Sequence, residues 1–199
     1  MAAFSVLTVC SGNICRSPLA EQILRARLAD IPDFAFSSAG TFAGDGDRMP
    51  EEAAALSLRF GGDPSQHSAR YITETMVADA DLVFAMARSH RREIVELVPR
   101  KVAVTFTLRE FARLSRELSD AEIAAVASGA PATRAGIAEV VAYVASRKGQ
   151  VGFPSSTGDD DVLDPYRRGD EAYEQAAAQL VPAADEVARV LRVAASVAH

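Results

Sequence analysis

The sequence predicts an α/β fold, a parallel doubly wound sheet covered by helices on both faces. Two observations carry this. Short apolar runs alternate with helix-like stretches along the N-terminal half, the pattern of strands buried on both sides and joined by crossover helices. The first run also leads directly into a small Gly-containing loop and then a helix start. This is the arrangement in which such sheets bind ligands beyond the carboxyl ends of their strands.

The predicted strands are Phe4–Val9, Phe34–Ser38, Asp81–Met86 and Lys101–Phe106. Each is a short apolar run bounded by polar or turn-forming residues. Helical spacing predicts Pro18–Ala29, Glu51–Phe60 and Ser89–Leu97 between them. Gly61-Gly62 is a natural stop for the second helix, and Asp63-Pro-Ser-Gln-His67 reads as a turn. From Leu108 to Lys148 the texture becomes Ala-rich with scattered charges, which predicts two or three helices broken near Ser128-Gly-Ala-Pro131. A loop follows from Gly149 to Asp164, and a final amphipathic helix from Glu171 to Ala198, interrupted or kinked at Pro182. The acidic run Asp159-Asp160-Asp161 reads as solvated loop charge.

Composition narrows the function. With 199 residues the chain can bury a real core. Its net charge of −6 argues against a general nucleic-acid binder. No apolar run approaches the roughly 20 residues of a membrane helix, and the N-terminus lacks the features of a signal peptide. Neither a nucleic-acid nor a membrane partner is therefore expected. The two cysteines, Cys10 and Cys15, lie in one loop and cannot staple a secreted scaffold, so a cytoplasmic protein is expected. They also make a poor zinc site without nearby His or Cys, and neither a metal nor a cofactor is expected.

The richest stretch is Cys10-Ser-Gly-Asn-Ile-Cys-Arg-Ser17. A strand, a tight loop containing Gly12 and Asn13, and a helix start make an anion cradle. Backbone N–H groups point inward and the helix N-terminus adds partial positive charge. Five residues separate Cys10 from Arg16, enough for Ser11, Gly12, Asn13, Ile14 and Cys15 to curl around a tetrahedral dianion. The Arg16 guanidinium can hold two oxygens at once, which Lys cannot. A helix N-terminus and a neighbouring guanidinium both favour thiolate over thiol. The chemistry that suits this set is attack of the Cys10 thiolate on a bound phosphoryl group, with the Ser17 hydroxyl easing the sulfur's later departure. Such a reaction also needs a proton donor for the leaving oxygen. Asp164, in Leu163-Asp-Pro-Tyr166, is the candidate, with Pro165 stiffening the backbone and Tyr166 placed to wall a pocket.

Together these residues resemble the low-molecular-weight protein tyrosine phosphatase family. The matching segments are VCSGNICRSPLAE at 9–21, SSAGT at 37–41, GGDPSQHSAR at 61–70, ADLVFAM at 80–86 and DPY at 164–166, in family order. The resemblance implies a three-layer fold with a four-stranded parallel sheet in the order 2-1-3-4, and a single domain over 1–199. It implies Cys10 as nucleophile, Arg16 as the phosphate ligand and Asp164 as general acid and then base. It places Asn13, Ser17, Ser38 and His67 in a network that holds the loop's shape. Cys15 is then either a small buried filler or the partner of Cys10 in a protective disulfide.

Two features depart from the family. A surplus at about 109–158 forms a helical insertion upstream of Asp164; a hairpin beside the site, a lid and a homodimer contact all stay open for it. The loop after SSAGT offers Phe42 as its one aromatic, and Arg167 replaces a second aromatic after Tyr166, so the pocket wall is thin.

The resemblance implies a hydrolase that removes phosphate from phosphotyrosine in proteins and from aryl phosphates through a phosphocysteine intermediate, with phosphate or another oxyanion bound in the loop. Three rivals stay open. One is an arsenate reductase using a small external thiol, since no cysteine follows Cys15 to relay a disulfide. Another is a protein arginine phosphatase, which carries Thr where this chain has Ile14. The third is a phosphate-binding module without activity.

Overall fold

The computed structural model describes residues 3–152, 156 and 158–197. Four parallel strands, β1 (Phe4–Cys10), β2 (Phe34–Gly40), β3 (Leu82–Ala85) and β4 (Thr105–Thr107), form one sheet in the order β2-β1-β3-β4. The predicted fold class and strand order are therefore observed. β1 lies at the centre, and alternation sends its side chains to two separate cores. Phe4, Val6 and Cys10 join one face with Leu82, Phe84 and Phe106. Leu7 and Val9 join the other with Ala39, Val83 and Ala85.

The first face is covered by α1 (Arg16–Arg27), α2 (Glu51–Arg59) and α8 (Asp170–Ala195). The second is covered by α3 (Glu74–Asp79) and α4 (Arg88–Leu97). α3 is a helix that sequence periodicity missed. It is one short turn and a half, started by the Thr73 hydroxyl, which accepts from the Met76 N–H.

The fourth strand is shorter than predicted. Residues Pro99–Val104 form a 3-10 helix, and only Thr105–Thr107 pair with β3. Pro99 opens that segment at a first-turn position, where its missing N–H costs nothing. The final helix starts at Asp170 and carries Pro182 inside it. It runs to Ala195, and its predicted end at Ala198 lies outside the described residues, as does part of the 149–164 loop.

The Ala-rich stretch after β4 forms three helices: α5 (Leu108–Ser115), α6 (Asp120–Ser128) and α7 (Thr133–Ser146). The first two begin with capping boxes, Thr107 with Glu110 and Ser119 with Glu122. The break between α6 and α7 falls at the predicted Gly-Ala-Pro. These helices bury Phe111, Leu114, Ile123, Ile137, Val140 and Val144 in the same core as the sheet face and α8. Phe111 meets Phe84 and Phe106 edge to face, with centroids 5.3 and 5.2 Å away. Among the described residues, no helix is long and apolar enough to cross a membrane.

Candidate active site

The loop from Cys10 to Ser17 joins the carboxyl end of β1 to the first turn of α1. Its curl is fixed from both sides. Thr41 N–H donates to the Cys10 carbonyl and Phe42 N–H to that of Ser11, both at 2.9 Å. Gly40 makes this approach feasible. A Cβ there would lie 2.3 Å from the Ser11 carbonyl oxygen and 2.9 Å from the Asn13 nitrogen.

Asn13 is the hub. It adopts a left-handed backbone, φ 53°, which Asn tolerates better than most residues. Its Nδ2 donates to Ser17 Oγ at 3.0 Å, and its Oδ1 accepts from Arg70 N–H at 3.0 Å. His67 Nε2 lies 2.7 Å from the Asn13 carbonyl and so carries the proton. Ser38 supports the loop differently from the expectation: its carbonyl accepts from Arg70 Nε at 2.7 Å. Arg70 thus ties the loop to β2, a role the sequence reading missed although Arg70 closes the quoted GGDPSQHSAR segment.

The Ser17 hydroxyl lies 3.0 Å from the Cys10 sulfur and 3.3 Å from the Ala39 carbonyl. Arg16 is 6% exposed. Its Nη1 donates to the Val162 carbonyl at 3.2 Å and its Nη2 to Asp164 Oδ2 at 2.7 Å. The structure therefore brings Asp164, 148 positions away in sequence, directly against the loop's guanidinium.

Cys15 points away from this cluster, into apolar surroundings with its sulfur 3.7 Å from the Tyr173 hydroxyl. Burial pushes its thiol up to about 12, against the smaller opposing effect of that hydroxyl. Ile14 is partly buried against the main core. Tyr166 follows Asp164 and is 43% exposed, with the Arg167 guanidinium 5.1 Å from its ring centre. Phe42 is 85% exposed and stands in solvent.

Ser11 also has a partner that sequence reasoning did not single out. Its Oγ shares a hydrogen bond with His90 Nε2 at 2.8 Å. His90 sits in the first turns of α4, is buried, and its Nδ1 has no hydrogen-bond partner. Burial, and then the nearby Arg16 charge, push its pKa down to about 4.

The acidic run is not solvated, contrary to the expectation. Asp160 is 7% exposed and takes a two-pronged contact from Arg113, at 3.1 Å from Nε and 2.9 Å from Nη2. Asp161 Oδ1 accepts from the Arg88 N–H at the start of α4, at 2.8 Å. The partners lie far away in sequence, so no local pattern announces them. Among the described residues, no group of three or more His, Cys, Asp or Glu is placed to hold a metal ion.

This strand–loop–helix arrangement is shared with known proteins. Residues 5–124 match the family model described as low molecular weight phosphotyrosine protein phosphatase. The chain belongs to that family.

Among relatives, the probable low molecular weight protein-tyrosine-phosphatase EpsP of Ralstonia solanacearum is 38% identical over 106 residues, covering 53% of this chain and 71% of the relative. A protein-arginine-phosphatase of Geobacillus stearothermophilus is 33% identical over 108 residues, covering 54% and 71%. The crystal structure of the low molecular weight protein tyrosine phosphatase from T. tengcongensis superposes with a TM-score of 0.65 at 30% identity, covering 93% of this chain and 97% of that one. The match to this low molecular weight phosphatase family takes in the whole sheet, α5 and the first half of α6.

Proposed function

We propose that the protein hydrolyses phosphotyrosine in proteins, and aryl phosphates generally, through a phosphocysteine intermediate. The observation that carries this reading is the Arg16–Asp164 contact at 2.7 Å, which sets a carboxyl group at the edge of the thiol-bearing cradle. Backbone N–H groups of Ser11 to Arg16 and the Arg16 fork hold the three phosphoryl oxygens. The Cys10 thiolate attacks phosphorus as the P–O bond to the leaving group breaks, and Asp164 gives that oxygen its proton. The Asp164 carboxylate then takes a proton from water as the water attacks the phosphocysteine. The S–P bond breaks, and the Ser17 hydroxyl, 3.0 Å from the sulfur, stabilises the departing thiolate.

Placement supports the remaining roles in this reading. Ser11, Gly12, Asn13, Ile14, Cys15 and Ser17 make up the loop, and His67 and Ser38 support its shape. Tyr166 is the side of a thin wall, with Phe42 too solvated to close the other side unaided. One domain over 1–199, with the insertion at about 109–158 as part of it, is supported by the core those helices share with the sheet. A cytoplasmic enzyme with phosphoprotein substrates fits this reading.

A protein arginine phosphatase is the second reading, favoured by the Geobacillus relative. Apolar Ile14 in the loop suits an aryl ester better than a guanidinium. Turnover of p-nitrophenyl phosphate, a phosphotyrosine peptide, phosphoarginine and arsenate by the wild type, Cys10→Ser and Asp164→Ala tests the proposal. Loss of phosphotyrosine hydrolysis in Cys10→Ser is expected. Survival of that activity, or a preference for phosphoarginine, would overturn the main reading.

A further inference from the structure

Asp164 is weakly held by its own side chain. The carboxylate is half exposed, and besides its ion pair with Arg16 it closes a local turn, with Tyr166 N–H donating to Oδ1 at 3.3 Å. An arriving dianion recruits Arg16, the one side chain among the described residues that grips the Asp164 carboxylate. The reach of the carboxyl then depends on the backbone that carries it.

That backbone is anchored residue by residue. Val162 N–H donates to the Met86 carbonyl at 2.8 Å, and Leu163 N–H to Gln179 Oε1 at 2.8 Å. The two residues before them are held from α5, the helix that follows β4. Arg109 Nη1 donates to the Asp161 carbonyl at 2.6 Å, and Arg113 grips the buried Asp160 carboxylate with two nitrogens while its Nη1 reaches the Gly152 carbonyl at 3.0 Å. Arg109 and Arg113 are four residues apart and so share one helix face. α5 itself is locked to the sheet through Phe111.

We propose that α5 is a positioning element for the general acid: Arg109 and Arg113 fix Asp160 and Asp161, at the start of the acid loop, and through them the reach of Asp164 to the leaving oxygen. α5 is then a brace behind the acid loop. This inference rests on the reading of Asp164 as the acid. Arg113 suits the task because its planar fork matches a carboxylate in a fixed orientation, which a Lys ammonium does not. Small displacements at such a distance matter, since a shift of about 1 Å costs about 100-fold in rate.

The test compares kcat/KM for phenyl phosphate, whose leaving group needs a proton, with that for p-nitrophenyl phosphate, whose leaving group needs it much less. Asp164→Asn lowers this ratio by about 100-fold if Asp164 is the acid. Arg113→Met lowers it by about tenfold, and adding Arg113→Met to Asp164→Asn lowers it no further, because the arginine acts through the acid. A general loss of structure would depress both substrates and leave the ratio alone. If Arg113→Met does not fold, Arg113→Lys keeps the charge, loses the fork, and lowers the ratio by about threefold. A normal ratio in the foldable Arg113 variant, beside a lowered one in Asp164→Asn, overturns the brace. A normal ratio in Asp164→Asn overturns the assignment of the acid, and the brace with it.

Discussion

Arg16 and Asp164 form an ion pair at 2.7 Å, with the guanidinium buried and the carboxylate half exposed. The loop's main anion ligand is thus already committed to a protein carboxylate. A phosphate entering the cradle competes with Asp164 for Arg16 and meets its negative charge. Replacing Asp164 by Asn removes that competition. The proposed mechanism therefore predicts opposite effects on binding and turnover. Inhibition by inorganic phosphate tightens by about fivefold, roughly 1 kcal/mol for a half-exposed pair. Meanwhile kcat/KM for aryl phosphates falls about 100-fold or more. Weaker phosphate inhibition in Asp164→Asn would mean that Asp164 helps hold the anion.

Gly40 is predicted to be intolerant of even one methyl group. An added Cβ would fall on the Ser11 carbonyl and the Asn13 nitrogen, both backbone atoms that cannot rotate away. The loop has to move, and its N–H groups lose their common focus. Gly40→Ala is expected to cost about 1–3 kcal/mol in unfolding free energy, as overpacking does. Its kcat/KM is expected to fall by about 100-fold. Urea denaturation and steady-state kinetics check the two numbers separately; a variant with wild-type kinetics would contradict the close approach.

Cys15 is expected to be chemically silent. Burial holds its thiol near 12, so at pH 8 almost none of it is thiolate. Iodoacetamide on the native protein at pH 8 should label Cys10, with inorganic phosphate protecting it, and leave Cys15 unlabelled until the chain is denatured. Peptide mapping reads both sites. The same raised value makes Cys15 a slow attacker on an oxidised Cys10, which favours the buried-filler reading over the protective disulfide. Native labelling of Cys15, or rapid formation of a Cys10–Cys15 bridge in peroxide, would reverse that preference.

What could be read from the sequence was what is local. CSGNICRS packs strand end, loop and helix start into eight residues, so both the cradle and its chemistry could be read from contiguous chain. The parallel sheet followed from apolar runs buried on both faces. α3 escaped because six residues give too little periodicity to separate a helix from a loop. Lys-Val-Ala-Val-Thr-Phe reads as a strand, yet Pro99 and packing turn most of it into a 3-10 helix. Asp160 and Asp161 looked solvated because Arg113, Arg109 and Arg88 lie 47, 52 and 73 positions away. Gly40, Arg70 and His90 were missed for the same reason: each acts on the loop across a tertiary contact, not through a pattern in its own segment.

His90 should make stability depend on pH in a defined direction. Its ring is buried against Ser11. The charges that act on it are Arg16 from the loop, Glu93 on its own helix, and Asp164 and Asp161 from the acid loop. Burial and Arg16 outweigh the carboxylates, so the folded-state pKa falls to about 4 from 6.5. Between those values the unfolded chain takes up a proton that the native protein does not. Stability therefore rises with pH across that window and is lost as pH falls through it. The expected size is roughly 3 kcal/mol between pH 4 and pH 7. His90→Gln removes this contribution and leaves those of the other titrating groups. Urea unfolding of the two proteins at pH 4, 5, 6 and 7 gives the difference directly: wild type minus variant should grow with pH and level off above about 6.5. A difference that stays flat across the range would show that the folded protein leaves His90 at its ordinary pKa, and one that falls with pH that the folded ring is held as a cation.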